Sequence, residues 1–261
     1  MAKQLLIYDR VVPVSPQRHG NKSLKAGGTF SYAKGVNSVP LMAAEFDAAS
    51  QEYAVVFAGE AGSMMPVALL GLRDGENVFV DEQGKWTGKY VPAFVRQYPF
   101  VFASSDRGDT FTLCVDTTFE GLNEDGIGER LFDAAGERTQ FLRNVLGFLQ
   151  AYQVQYRLTR RFVQKLEDLN LLDAMEAQAV VEGGQRVKLG GFRVVNRERL
   201  RAVAGDKLAE FARSGELDLI YAHLHSLRNV NTLAQRFRTA APDAEKKAGK
   251  PASRVPAVEE A

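Results

Sequence analysis

Three histidines, one cysteine and scattered carboxylates are the residues from which catalysis could be built. His223 and His225 stand two positions apart, about 200° around a helix, so they cannot ligate one metal from one face. No His-x-Asp pair marks a facial-triad iron site, and one cysteine makes neither a zinc cluster nor an intrachain disulfide. Cys114 lies in the apolar run FTLCV, where a buried, inert thiol is the ordinary outcome. The glycines from Gly121 to Gly128 lack the strand–turn–helix order of a dinucleotide site, and Gly183 to Gly191 contains no P-loop pattern. Ser63, in AGSMM, has only one of the two glycines of a nucleophile elbow. Glu45, Asp47, Asp116, Glu120, Glu124 and Asp125 are available acids, but spacing alone does not pair them at a catalytic distance. The expectation is therefore no catalytic residues, no metal and no cofactor.

One stretch is left. Residues 76–102 hold the only tryptophan, Trp86, together with Phe79, Tyr90, Phe94, Tyr98, Phe100 and Phe102. Pro92 and Pro99 punctuate it, and Arg96 stands among the rings. In one reading Trp86, Tyr90 and Tyr98 stack on a ligand or partner peptide, and Arg96 supplies a cation or an anion clamp. In the other the rings fill a core and the prolines turn the chain. Both stay open at this point.

The elements that would position this stretch follow from periodicity. Residues 4–14 read as extended, with Pro13 suiting an edge, and 15–28 as loop. Residues 41–50 fit a short helix. EYAVVFAG (52–59), MPVALLGL (65–72) and ENVFV (76–80) read as an antiparallel meander, because the connections are too short for parallel crossovers, and FTLCVD (111–116) reads as a further buried strand. The character changes near residue 120. Phe141, Val145, Phe148, Leu149, Tyr152, Tyr156, Val163 and Leu166 form the apolar stripe of one long helix from Thr139 to about Asn170. Residues 178–195 break that period. Of the pairs Gly183-Gly184 and Gly190-Gly191, one suits a hairpin turn and the other a bulge. Asn196 is a good N-cap for a helix bearing Leu200, Val203, Leu208 and Phe211, which Gly215 ends. A third stripe, Leu217 to Leu227, continues to about 237. The alanine-, proline- and charge-rich residues 238–261 read as a disordered tail.

Composition narrows the class. The 33 basic and 32 acidic residues give a net charge of +1, which offers no electrostatic case for nucleic acid. No run approaches the ~20 apolar residues of a membrane helix, and the N-terminus lacks a signal-peptide core, so a cytoplasmic address is expected.

The run NVFVDEQGKWTGKYVPAFVRQYPFVF (77–102) resembles the bacterial SapC family. So do PVALLGL (66–72), LCVD (113–116), GERLFDAAGE (128–137), GGFRVVN (190–196) and LIYAHLHSL (219–227), in the family's order. The resemblance implies an association with surface-layer or cell-envelope processes and brings no catalytic residues with it. The expected fold is α+β. An antiparallel β-rich half (1–119) packs on a helical half (120–237) containing one β-hairpin, as one domain over 1–237. The expected function is an accessory or binding protein with an unidentified protein partner, using Trp86, Tyr90, Arg96 and Tyr98. The alternative is an enzyme, or an enzyme subunit, acting on a peptide or small aromatic metabolite.

Overall fold

A computed structural model describes residues 6–25, 27–104, 111–180 and 186–237. In chain order, β1 (Val11–Pro13), α1 (Pro16–His19), β2 (Ser23–Leu24) and β3 (Ser38–Pro40) lead to α2 (Phe46–Ser50), β4 (Val55–Ala58) and β5 (Met65–Leu69). Next come α3 (Ala93–Arg96), β6 (Phe100–Ser104), β7 (Phe111–Asp116), β8 (Leu122–Asn123) and β9 (Glu129–Arg130). The long α4 (Gln140–Asp168) precedes the hairpin strands β10 (Leu172–Val180) and β11 (Arg186–Val195). Helices α5 (Arg197–Arg201), α6 (Gly205–Ser214) and α7 (Glu216–Ser226) follow, and residues 229–237 are again helical.

The fold is α+β, with antiparallel sheets in the N-terminal half and helices in the C-terminal half. Among the described residues three sheets run in the orders β1-β7-β6, β10-β11-β4-β5-β3 and β8-β2-β9. Strand β1, with its proline, is an edge strand, as Pro13 requires. The hairpin does not stand apart with the helices. Phe192 and Arg193 of β11 pair with Ala58 and Phe57 of β4, so the hairpin extends the central sheet. Its register shifts opposite Glu176, where Gly190 and Gly191 form a bulge and Gly191 takes φ +82°. The Gly183-Gly184 turn and the expected tail at 238–261 lie outside the described residues.

Helix α4 begins where Thr139 Oγ1 accepts the amide of Leu142. It ends in a Schellman motif. Asn170 is left-handed (φ 50°), Leu171 N donates to Leu166 O, and Asn170 N donates to Glu167 O. The helix serves two cores. Leu142 and Leu149 join Leu24, Phe100, Val115, Leu131 and Phe132 in a smaller one. Tyr152, Phe162, Val163 and Leu166 join the larger one beneath the five-stranded sheet. Buried Thr159 fixes the helix to the first half of the chain by accepting Ala43 N at 2.8 Å.

Helix α7 closes the central sheet from the C-terminal side. His223 Nε2 accepts Val195 N at 3.0 Å, and Ser226 Oγ accepts Val55 N at 2.9 Å. The other ring nitrogen is bonded to Val55 O, so the imidazole is satisfied on both nitrogens and is a structural group.

Further expectations change, and of the described residues in the segment 4–14 read as extended only Val11–Pro13 is a strand. ENVFV (76–80) is not a strand. Asn77 captures the local backbone, its Oδ1 accepting Phe79 N and its Nδ2 donating to Ala33 O. Only the single bridge Val80–Trp86 remains, because a side-chain turn competes with ladder pairing. The supposed loop 15–28 contains α1 and β2. The helix expected after Asn196 is broken at 202–204 into α5 and α6.

Candidate functional site

Two walls and a floor meet where the two cores join. The first wall is the outer face of α4, where Phe141, Asn144, Val145, Phe148 and Leu149 follow helical spacing. The second wall is the turn from α3 into β6, residues 96–100. Gly27 to Phe30, Tyr32 and Phe119 supply the floor and rim. Together they enclose a cleft of about 490 Å³. That is within the range of small-molecule sites. A neighbouring cavity of about 580 Å³ shares Tyr32, Tyr98 and Phe119 with it and adds Asp9, Lys25 and Glu120.

Tyr98 divides the two cavities. Its ring stacks on Tyr32 with centroids 4.0 Å apart and meets Phe119 edge-on at 5.5 Å. Tyr32 is anchored by its hydroxyl, which donates to Val95 O at 3.1 Å. Burial raises the pKa of both phenols; the proximity of Tyr98 adds to the rise at Tyr32, and that of Asp116 to the rise at Tyr98. Both are neutral hydrogen-bonding groups at physiological pH.

Arg96 borders the cleft mouth and is exposed. Its Nε donates to Val91 O at 2.9 Å and its Nη2 to Tyr90 Oη at 3.4 Å. The guanidinium carbon lies 5.4 Å from the centroid of Phe148. Tyr90 passes this contact inward, donating its hydroxyl to Glu45 Oε1 at 2.7 Å. Glu45 is buried and also accepts Ala93 N at 2.7 Å and Met42 N at 2.8 Å. Burial, and then the adjacent Glu45 carboxylate, push the Tyr90 phenol up to about 12.

The four residues singled out in sequence therefore separate. Arg96 and Tyr98 line the cleft. Tyr90 lies one hydrogen bond behind Arg96. Trp86 is 5% exposed and does not border the cleft. Its Nε1 donates to Tyr53 Oη and to Tyr90 O, both at 3.1 Å, and its ring packs between Phe30 and Phe79. Gly88 makes that packing possible. A Cβ there would stand 2.6 Å from Tyr53 Oη and 2.7 Å from Trp86 Nε1. The indole is thus a core ring with a satisfied N–H, and the stacking role weighed for it in sequence has no access to the cleft.

Sequence reasoning missed Phe30, Tyr32 and Phe119, which no periodicity marks. It placed Phe141, Val145 and Phe148 on a core-facing stripe. All three are only half-buried, because the loop at 27–32 stands off from the first turns of α4. The available signal was the pair Phe141 and Phe148, seven residues apart on one face of α4.

The SapC family model matches residues 14–233 of this sequence. The chain belongs to the SapC family. The match covers all the walls of the cleft and every residue of the Arg96–Tyr90–Glu45 chain of contacts. No curated protein matches the chain, and no solved structure does. Among the described residues of this SapC protein, no helix is long and apolar enough to cross a membrane, and no three His, Cys, Asp or Glu side chains gather as metal ligands do.

Proposed function

We propose that this SapC-family chain is a cytoplasmic binding protein with an accessory role in surface-layer or cell-envelope processes, and that the cleft between α4 and residues 96–100 is its binding site. The observation that carries the reading is the make-up of the walls. Phe30, Tyr32, Tyr98, Phe100, Phe119, Phe141 and Phe148 line the cleft, with Arg96 at its mouth. Its described lining holds no carboxylate, imidazole or thiol, and its phenols are held neutral. Such walls suit recognition of an apolar group more than proton transfer. The enzyme reading would need an acid–base pair in the lining.

Saturation-transfer NMR with a panel of ring compounds tests the binding role. Signals are expected for the native protein and are expected to vanish when Val145→Trp fills the cleft. Equal signals from both proteins would count against it. For the accessory role, native pull-down from the source cells should recover an envelope-associated protein in repeated trials. Recovery of no specific partner would remove that part of the reading.

A further inference from the structure

We infer that the cleft takes a small monoanionic carboxylic acid whose ring or short apolar chain lies among the aromatic walls and whose carboxylate meets Arg96. The inference rests on the binding role proposed above and adds the ligand's chemical class.

Five features lead to it. Arg96 is the only charged residue in the described lining, so an ionic ligand group drawn into this cleft is an anion. Among the described residues Arg96 forms no ion pair, and its Nη1 has no protein acceptor. The guanidinium is nevertheless held in place by Val91 O, Tyr90 Oη and the Phe148 ring, so little order remains to be imposed on binding. Its planar donor fork matches a carboxylate. Finally, Asn144 spends its Oδ1 on Gln140, which leaves its Nδ2 as a second donor on the other wall of the cleft.

Charge and size argue for a monoanion. A single guanidinium balances one negative charge. A further cation, Lys25, lies in the neighbouring cavity with Asp9 and Glu120, which oppose a doubly charged phosphate there. A cavity of about 490 Å³ accommodates one ring system and a short chain.

Isothermal titration with two matched pairs tests the inference: 4-phenylbutanoate with 4-phenylbutanamide, and 2-naphthoate with 2-naphthamide. Each acid should bind the native protein at least tenfold more tightly than its amide. Arg96→Gln should bring the acid to the amide's affinity, and Val145→Trp should abolish binding of both. Far-UV circular dichroism and melting curves establish that each variant is folded. Acid and amide binding alike, in native protein and Arg96→Gln, with loss in Val145→Trp, would overturn the carboxylate assignment and leave the binding role standing. Acid binding that survives Val145→Trp would place the site elsewhere and overturn the inference. No saturable binding of any of the four at millimolar concentration would overturn both.

Discussion

The Nδ1–H of His223 donates to the carbonyl of Val55 over 2.7 Å, joining α7 to the central strand β4. The ring's other nitrogen accepts Val195 N, so the imidazole is neutral and bridges β4 and β11. Burial lowers its pKa to about 4, the bond to Val55 only partly opposing that fall. The unfolded chain takes up this proton near pH 6.5, before the native state does. Stability from this group is therefore full above pH 6.5 and falls as the pH drops toward 4, on the order of 3 kcal/mol in all. Urea unfolding at pH 7 and pH 4.5 should show the falling midpoint. His223→Asn should be less stable at pH 7 yet lose less between the two values. Parallel pH dependence in both proteins would sink the assignment.

Glu45 accepts three hydrogen bonds in a buried position. Glu45→Ala leaves two backbone amides and the Tyr90 hydroxyl without their acceptor and should cost about 3 kcal/mol. Glu45→Gln turns one acceptor oxygen into a donor facing another donor, and about 2 kcal/mol is expected. Guanidinium denaturation measures both. A change below about 0.5 kcal/mol in Glu45→Ala would mean that these donors find other partners.

Gly88→Ala would press a methyl group against Tyr53 Oη and the indole nitrogen of Trp86. Overpacking of this kind costs about 1–3 kcal/mol. The chain has one tryptophan, so its emission reports the site alone. Reduced melting temperature with shifted emission is expected. Unchanged emission would show that residue 88 does not abut the indole.

Tyr152 carries a buried hydroxyl with no hydrogen-bond partner among the described groups. Tyr152→Phe removes a desolvated group without orphaning another. Stability should hold or rise by up to about 1 kcal/mol. A loss above 2 kcal/mol would reveal a bound water or partner on that oxygen.

Local signals were legible in the sequence to different depths. Thr139, the stripe from Phe141 to Leu166 and Asn170 announce α4, because a cap, a 3.6-residue period and a left-handed stop all act within a few residues. Asn196 as N-cap is readable for the same reason, whereas only the pairing of β10 with β11 decides that Gly190-Gly191 is the pair that bulges. The attachment of β11 to β4 is not, since it depends on pairing between distant segments. ENVFV was misread because one polar side chain, Asn77, outcompetes the strand pattern. The cleft shows the same limit. Arg96 and Tyr98 stood out by composition, while Tyr32, Phe119 and Phe148 join them only through tertiary packing. Trp86 drew attention by its size, yet Gly88 and Tyr53 decide that it is buried.

The β11–β4 seam also orders events in time. As the chain leaves the ribosome, β4 and β5 can pair at once, but the other edge of β4 must wait. At ~5–20 residues per second, the strand that covers it emerges roughly ten seconds later. Until then VVFA presents an open, apolar strand edge of the kind that recruits other chains. The protein's exposure to misassembly is thus greatest midway through synthesis and ends when GGFRVV arrives and His223 locks the seam.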